Sequence, residues 1–210
     1  MATKLLACDD SEILALIGCG EQAKTHLEAM LIVYPRISEV RVWSRTRSNV
    51  EAFVKKARAM YPGNYPVLKF VISSSVRDAC KDADIICTLT ASRVPLVTKD
   101  MVKPGAHINA VGACTPDMHE LSSDLVVSAK IVADDREACL KEPGDIVTPL
   151  RNGIDVKINC TIGELVRHEL SVYGVDTGRH NAHIGRRSDT DIAIYESLGL
   201  AIQDLACAVY

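Results

Sequence analysis

An apolar run that ends in a glycine-rich turn constrains the fold of this chain more than any other feature. Residues 13–17 are apolar without interruption, which is typical of a strand buried on both faces. The turn that follows, from Gly18 to Ala23, has the pattern G-x-G-x-x-A, and residues 22–34 then show a helical period that stops at Pro35. A glycine motif between a strand and a helix predicts a dinucleotide-binding unit.

The small residues of this turn each have a physical role in such a unit. Gly18 permits the tight turn, Gly20 lets the backbone approach a pyrophosphate, and Ala23 lets the helix pack closely on the sheet. The helix N-terminus offers unpaired N–H groups and the positive end of its dipole to the phosphates. The alternative is a glycine turn that only links a strand to a helix, and the alternating elements around it favour the dinucleotide site.

Strand and helix signals alternate through the first half of the chain. Helices are predicted to open at Ser48 and Ser75, and further strands are predicted at residues 40–43, 67–72, 84–90, 106–111 and 131–133. Such alternation implies parallel pairing with right-handed crossovers. We therefore predict an α/β fold with a doubly wound parallel sheet of the Rossmann type.

The pattern changes in the last third of the chain. Thr161 and Glu164 have the spacing of a capping box, residues 174–189 are polar and basic like an exposed loop, and a final helix is predicted from Asp191 onward with no strand after it. The predicted organisation is a linker-helix remnant over 1–11, a NADP-binding Rossmann domain over 12–150, and a C-terminal helical tail over 151–210 that belongs to an incomplete second domain.

The residues after the second predicted strand indicate the cofactor. An NAD-preferring site usually places an acid about 20 residues beyond the glycines. Residues 40–50 hold no acid, but they hold Arg41, Arg45 and Arg47. A guanidinium binds a 2′-phosphate with charge-assisted hydrogen bonds, and Arg45 falls at the carboxyl edge of the strand, where the adenosine end should lie. We expect NADP(H), the alternative being an ordinary solvated arginine cluster.

Composition and charge exclude several classes of protein. The net charge of -3 gives no reason to expect nucleic acid or a membrane surface as partner, and the longest apolar runs are strand-length. Residues 1–10 do not have the pattern of a signal peptide, so a cytoplasmic protein is expected. The eight cysteines are dispersed without a C-x-x-C pair and the six histidines lack ligand spacing, so neither a metal site nor a disulfide framework is expected.

Longer motifs carry a resemblance to a known family. They are residues 2–6, 18–23, 41–46, 102–113, 140–145, 162–164 and 197–201, the most specific being the Lys-Pro-Gly-Ala-His-Ile-Asn-Ala-Val-Gly block that begins at Lys103. With these motifs the chain resembles the ornithine cyclodeaminase/mu-crystallin family over essentially its whole length, and most of all the ketimine reductase (mu-crystallin) branch.

The resemblance implies roles for matching positions. The pyrophosphate is expected at Gly18, Cys19, Gly20, Glu21 and Gln22, and the 2′-phosphoribose at Ser44, Arg45, Thr46 and Asn49. The nicotinamide side is expected at Thr90, Ala91 and Val111, with Ser197 returning to the cofactor from the last helix, and the substrate pocket at Cys114 and Glu142. The alternative for the threonines is that they only form the hydrogen bonds that the strand ends need. The alternative for Glu142 is a surface acid before a Pro-Gly turn.

Two departures from the family pattern matter. True ornithine cyclodeaminases have an aspartate where this chain has Cys114, and a thiol cannot serve as a carboxylate base, which favours the ketimine reductase branch. Family members also carry a long segment before the Rossmann unit, which supplies most of the substrate and dimer domain with its arginine and lysine. We therefore expect a fragment or the product of a truncated gene. Family members are homodimers, but most of their interface lies in that segment, so the oligomeric state of this chain stays open.

The expected activity follows from the resemblance. It is hydride transfer from NADPH to the C=N carbon of a cyclic ketimine carboxylate, with Glu142 as a modulating acid and no complete catalytic constellation within the chain. One alternative is a protein that binds a thyroid hormone-like small molecule in the presence of NADPH without catalysis. Others are an ornithine cyclodeaminase-like enzyme and a chain with no independent function.

Overall fold

One parallel sheet organises the part of the chain that the computed structural model describes, which is residues 1–61, 68–172, 188–202, 205 and 208. Its eight strands in this part are β1 (Ile13–Ile17), β2 (Glu39–Trp43), β3 (Lys69–Ile72), β4 (Ile85–Thr88), β5 (His107–Ala110), β6 (Lys130–Ala133), β7 (Ile158–Thr161) and β8 (Ala193–Glu196). Their order is β3-β2-β1-β4-β5-β8-β6-β7, and every pairing is parallel. The predicted doubly wound α/β fold is confirmed.

Helices cover both faces of this sheet. They are α1 (Ala2–Leu6), α2 (Glu21–Val33), α3 (Arg47–Met60), α4 (Val76–Cys80), α5 (Ser123–Ser128), α6 (Arg136–Cys139), α7 (Gly144–Arg151) and α8 (Ile162–Val172), with one turn of 3-10 helix at Lys99–Met101. None of the helices in the described part is long and apolar enough to cross a bilayer.

The alternation of side chains along β1 shows how the core is divided. Leu14 and Leu16 pack in one apolar cluster with α2 and α3, whereas Ala15 and Ile17 pack in a second cluster with α4, α5 and α7. A third cluster joins Leu6 of α1 to β6, β8 and α8. Because successive strand residues face opposite sides, a strand in the middle of such a sheet must be apolar throughout, as the sequence of β1 is.

The C-terminal third differs from the sequence-based prediction. Residues 193–196 do not continue a helix from Asp191, because they form β8 and pair with β5 on one side and β6 on the other. Ile194, assigned to a helical face, is fully buried in the sheet. Four residues are too few for the apolar period to distinguish a strand from a helix. The segment forms a strand because the edges of β5 and β6 are both available to pair with it.

This difference also affects the domain boundary. Both β7 and β8 belong to the sheet that was assigned to residues 12–150, so residues 151–210 are not a purely helical tail. Whether the remainder of this segment serves a second domain stays a prediction. The loop predicted over 174–189 lies outside the described residues except for Ser188 and Asp189.

Helix starts agree with the sequence at Thr161 and at Ser75, whose hydroxyl caps α4 by accepting from the N–H of Asp78, and differ at a third place. Thr161 and Glu164 form the predicted capping box, in which each side chain accepts a hydrogen bond from the other residue's backbone N–H, at 2.7 and 3.3 Å. The helix predicted to open at Ser48 begins at Arg47 instead, and Thr46 is its N-cap residue. Glu51 forms an ion pair with Arg47, 3.0 Å away.

Candidate functional site

The carboxyl ends of the parallel strands meet at one edge of the sheet, and backbone hydrogen bonds join them there. The N–H of Gly18 after β1 donates to the carbonyl of Trp43 at the end of β2, at 2.8 Å. The N–H of Leu89 after β4 donates back to Ile17, also at 2.8 Å. Val111 after β5 and Ser197 after β8 are tied to the neighbouring strands in the same way. In open α/β sheets ligands bind at this edge.

The glycine-rich turn connects β1 to α2 at the centre of this edge. Gly18 has φ +117°, and a Cβ on it would lie 2.6 Å from the carbonyl oxygen of Leu89, so only glycine fits. Gly20 is the N-cap of α2, has no atom within 4 Å of the position that a Cβ would take, and provides no side-chain cap. Ala23 is fully buried against the sheet. The turn therefore presents an open helix N-terminus that can bind an anion.

The three arginines around the end of β2 have different surroundings. Arg41 is engaged by Glu39 at 2.5 Å and by the carbonyl of Lys81, and Arg47 is paired with Glu51. Arg45 is exposed and has no ion pair within the described part of the chain. Of the three arginines, Arg41 and Arg47 are thus bound to other residues of the chain, and Arg45 can bind a ligand.

The predicted 2′-phosphoribose residues lie close to the glycine-rich turn. Ser44 is half-buried directly after β2, and Thr46 caps α3. Asn49 on α3 lines the same groove of about 560 Å³ between α2 and α3 as Cys19 of the turn. Glu21, also in this groove, is exposed and paired with Lys24 at 2.8 Å, which holds the pKa of Glu21 below its usual value. The groove therefore contains Asn49 from one predicted group and Cys19 and Glu21 from the other.

The residues predicted for the nicotinamide side follow β4, β5 and β8. Thr90 and Ala91 come after β4, and Val111 comes after the neighbouring β5. Ser197 was expected on the last helix but lies in the turn after β8, and its N–H donates to the carbonyl of Ala110 at 2.9 Å. The buried Asp134 fixes this turn, since its Oδ2 accepts hydrogen bonds from residues 198 and 199, at 2.7 and 2.8 Å.

A buried acid that the sequence analysis missed lies behind these strand ends. Oε1 of Glu120 accepts hydrogen bonds from the N–H and the hydroxyl of Thr90, at 2.7 and 2.6 Å, and its Oε2 accepts from the N–H of Gly112 at 2.9 Å. Burial raises the pKa of Glu120, while the hydrogen bonds from Thr90 oppose that shift. An isolated acid in an irregular segment has no periodicity or spacing that could have revealed it.

Two more buried acids lie near Glu120. Oδ1 of Asp145, in the first turn of α7, accepts hydrogen bonds from the N–H groups of Glu120 and Leu121, at 2.7 and 2.8 Å. Burial raises the pKa of Asp145 to about 7, and the Glu120 carboxylate adds to this shift. Burial also raises the pKa of Glu196 at the end of β8, well above its ordinary value, with Asp145 and Glu120 contributing. Three buried acids, Glu120, Asp145 and Glu196, therefore lie behind this edge of the sheet, and burial makes the ionisation of each unfavourable.

His119 lies beside this group but does not form an ion pair with it. Its Nε2 is 3.8 Å from Oδ1 of Asp145, which is beyond hydrogen-bonding distance. Burial lowers the pKa of His119, so the neutral ring is favoured at neutral pH. Within the described ranges, no three or more His, Cys, Asp or Glu side chains are arranged to hold a metal ion.

The two predicted pocket residues lie on neighbouring exposed segments. Cys114 follows β5 and its Sγ is 3.8 Å from Sδ of Met118, and Glu142 stands just before α7. Between them the N–H of Gly144 donates to the carbonyl of Thr115 at 3.1 Å, and a Cβ on Gly144 would lie 2.1 Å from the carbonyl oxygen of Met118. This close approach holds the two segments side by side.

Comparison with known proteins supports a single family. The family model described as ornithine cyclodeaminase/mu-crystallin family matches residues 1–210. The ketimine reductase mu-crystallin of Mus musculus is 36% identical over 208 residues, covering 99% of this chain and 57% of the relative. The Delta(1)-pyrroline-2-carboxylate reductase of Bacillus cereus is 33% identical over 213 residues, covering 100% of this chain and 59% of the relative.

Solved structures agree with the sequence comparison. The Thermococcus litoralis Delta(1)-pyrroline-2-carboxylate reductase in complex with NADH and L-proline superposes with a TM-score of 0.83 at 32% identity, covering 99% of this chain and 59% of that one. An archaeal alanine dehydrogenase dimer with bound NAD gives 0.82 at 33% identity, covering 99% and 58%. The chain thus spans less than two thirds of the length of these relatives.

Proposed function

Because the chain belongs to the ornithine cyclodeaminase/mu-crystallin family, we propose that it binds NADP(H) and serves the reduction of the C=N bond of a cyclic imine carboxylate. The observation that carries this proposal is the sheet edge at which the Gly18 turn and the ends of β4, β5 and β8 are joined by hydrogen bonds. Two structural relatives hold NADH or NAD, and sequence relatives are named ketimine reductase and Delta(1)-pyrroline-2-carboxylate reductase.

We assign the two halves of the dinucleotide to the two sides of β1 at this edge of the sheet. The open N-terminus of α2 at Gly20 binds the pyrophosphate through backbone N–H groups. The adenosine half lies toward β2, beside β1, and the nicotinamide half lies toward β4 and β5, on the other side of β1. Thr90 and Val111 thereby form the walls next to the reacting end.

The preference for the 2′-phosphate rests on Arg45. This side chain is exposed at the end of β2 without an ion pair among the described residues, while Arg41 and Arg47 are held by acids. A guanidinium at this point favours a dianionic phosphate and gains little from a ribose hydroxyl. The structural relatives hold NADH or NAD, so the proposed preference for NADP(H) is a property of this chain's own residues.

The chemistry at the other end requires orientation and charge. The bound nicotinamide supplies a hydride to the imine carbon, and the imine nitrogen carries the proton that makes it a better acceptor. Glu142 is exposed on the segment that lies beside Cys114, and it is the acid that we assign to favour the protonated imine. Cys114 cannot act as a carboxylate base, which disfavours ornithine cyclodeamination.

The test is to supply the protein with NADPH and Δ1-pyrroline-2-carboxylate and to follow the loss of absorbance of the reduced nicotinamide. Turnover that depends on both compounds supports the reductase, with NADPH preferred over NADH. Tight binding of NADPH without turnover would favour the second candidate, a protein that binds a small molecule without catalysis. Failure to bind either dinucleotide would overturn the proposal.

A further inference from the structure

The ends of β4 and β5 are connected by one carboxylate as well as by the backbone. Glu120 is 30 residues from Thr90 and eight from Gly112 along the chain, yet it accepts hydrogen bonds from both. The carboxylate of Glu120 is the acceptor in all three hydrogen bonds, at 2.6 to 2.9 Å. An ionised carboxylate can only accept, so the arrangement suits the ionised form. The side chain therefore acts as a bridge across the strand ends.

The Glu120 side chain is tightly enclosed by the residues around it. Glu120 is completely buried. A Cβ on Gly112 would lie 2.5 Å from Oε2 of Glu120 and 2.0 Å from the carbonyl oxygen of Thr90. Glycine at position 112 is what lets the carboxylate reach between the two strand ends, so the glycine and the acid depend on each other.

The backbone of Glu120 is fixed from the side opposite to the strand ends. Oδ1 of Asp145 accepts hydrogen bonds from the N–H groups of Glu120 and Leu121. The carbonyl of Glu120 accepts from Leu96 and Val97, at 2.8 and 3.0 Å. The backbone of Glu120 is thus bound to two other segments, while its side chain is bound to the strand ends.

We propose that Glu120 is a positioning residue for the nicotinamide half of the cofactor, because its carboxylate sets the separation of the Thr90 and Gly112 segments that flank this half. This inference rests on the proposed function, in which the adenosine half lies on the β2 side of the edge. The adenosine half is then bound by residues that the carboxylate does not touch. Loss of the bridge should weaken only the binding of the nicotinamide half.

The experiment compares two ligands by calorimetry. NADPH occupies both halves of the site, and 2′,5′-ADP occupies only the adenosine half. In Glu120→Gln one oxygen is replaced by an NH₂ group that faces an N–H donor, so we expect the affinity for NADPH to fall about tenfold and that for 2′,5′-ADP to change less than about twofold. Glu137→Gln is the matched control, since this acid is exposed on α6.

A second variant guards against loss of folding. Glu120→Asp keeps the charge but is too short to reach both strand ends, and it should show the same selective loss of NADPH affinity to a smaller degree. Equal loss of both ligands in a folded variant, or no loss of either, would overturn the inference alone. If the unchanged protein binds neither ligand, the proposed function falls, and this inference falls with it.

Discussion

The N–H of Gly18 donates a 2.8 Å hydrogen bond to the carbonyl of Trp43, which ties the start of the glycine-rich turn to the end of β2. Trp43 is the single tryptophan of the chain and is half-buried. We therefore expect bound NADPH to quench its fluorescence by energy transfer to the nicotinamide. A titration of Trp43 emission measures the affinity, and NADP⁺, which lacks the absorption band of the reduced ring, is the control ligand. Undiminished emission at saturating NADPH would contradict the proposed site.

Cofactor preference should reverse when Arg45 is replaced. Arg45→Asp places a carboxylate where the 2′-phosphate is expected, so NADPH affinity should fall by about tenfold to a hundredfold while NADH affinity holds or rises. Arg47→Gln is the matched control, because Arg47 is also exposed but is paired with Glu51. Unchanged NADPH affinity in Arg45→Asp would show that the 2′-phosphate is bound elsewhere.

The two glycines of the turn should respond differently to alanine. Gly18→Ala brings a methyl group against the Leu89 carbonyl at a positive φ, and should lower the free energy of unfolding by about 1–3 kcal/mol. Gly20→Ala meets no protein atom within 4 Å, so stability should fall by less than about 1 kcal/mol, the cost of alanine at the N-cap of α2. Its methyl group should nevertheless abolish dinucleotide binding, since it occupies the place of the pyrophosphate.

Urea denaturation and the Trp43 titration separate these two effects. A Gly20→Ala variant that is stable and still binds NADPH as tightly as the unchanged protein would rule out the pyrophosphate at this helix N-terminus.

Stability should fall as the pH rises from about 4 to about 7. The pKa of Asp145 is about 7 in the folded chain and about 4 in an unfolded one. Between these values the folded chain retains a proton that the unfolded chain has released, so raising the pH favours unfolding, by at most about 1.4 kcal/mol per pH unit for one group. Asp145→Asn keeps the acceptor for the backbone N–H groups and should reduce this slope.

The measurement is the free energy of unfolding in urea at several pH values. Asp155→Asn is the control, because Asp155 is exposed between α7 and β7. A slope that is the same in the Asp145→Asn variant as in the unchanged protein would mean that Asp145 is ionised throughout this range.

The sequence predicted the glycine-rich turn between β1 and α2, whose residues are contiguous in the chain. The turn from Gly18 to Ala23 has fixed spacing, and each position has a separate steric reason, so it could be identified without a structure. The absence of an acid after β2 pointed to Arg45, but the sequence could not separate Arg45 from its neighbours. That distinction depends on Glu39 and Glu51, whose side chains engage Arg41 and Arg47 in the folded chain.

Contacts between distant segments account for what was missed. Glu120 works through Thr90 and Gly112, and no local pattern links these three positions. The strand β8 was missed for a related reason, since Ile194 lies in a four-residue strand with apolar residues on both sides of it in the sequence. Pairing with β5 and β6 outweighed the local helical period.

The position of β8 also sets an order of events during synthesis. Since β8 lies between β5 and β6, the last strand of the described part of the chain joins the β6–β7 pair to the other five strands. A nascent chain that has emerged only as far as residue 190 holds two unpaired parallel edges, which are sites for association with other chains. The eight-stranded sheet can therefore close only after β8 has left the ribosome.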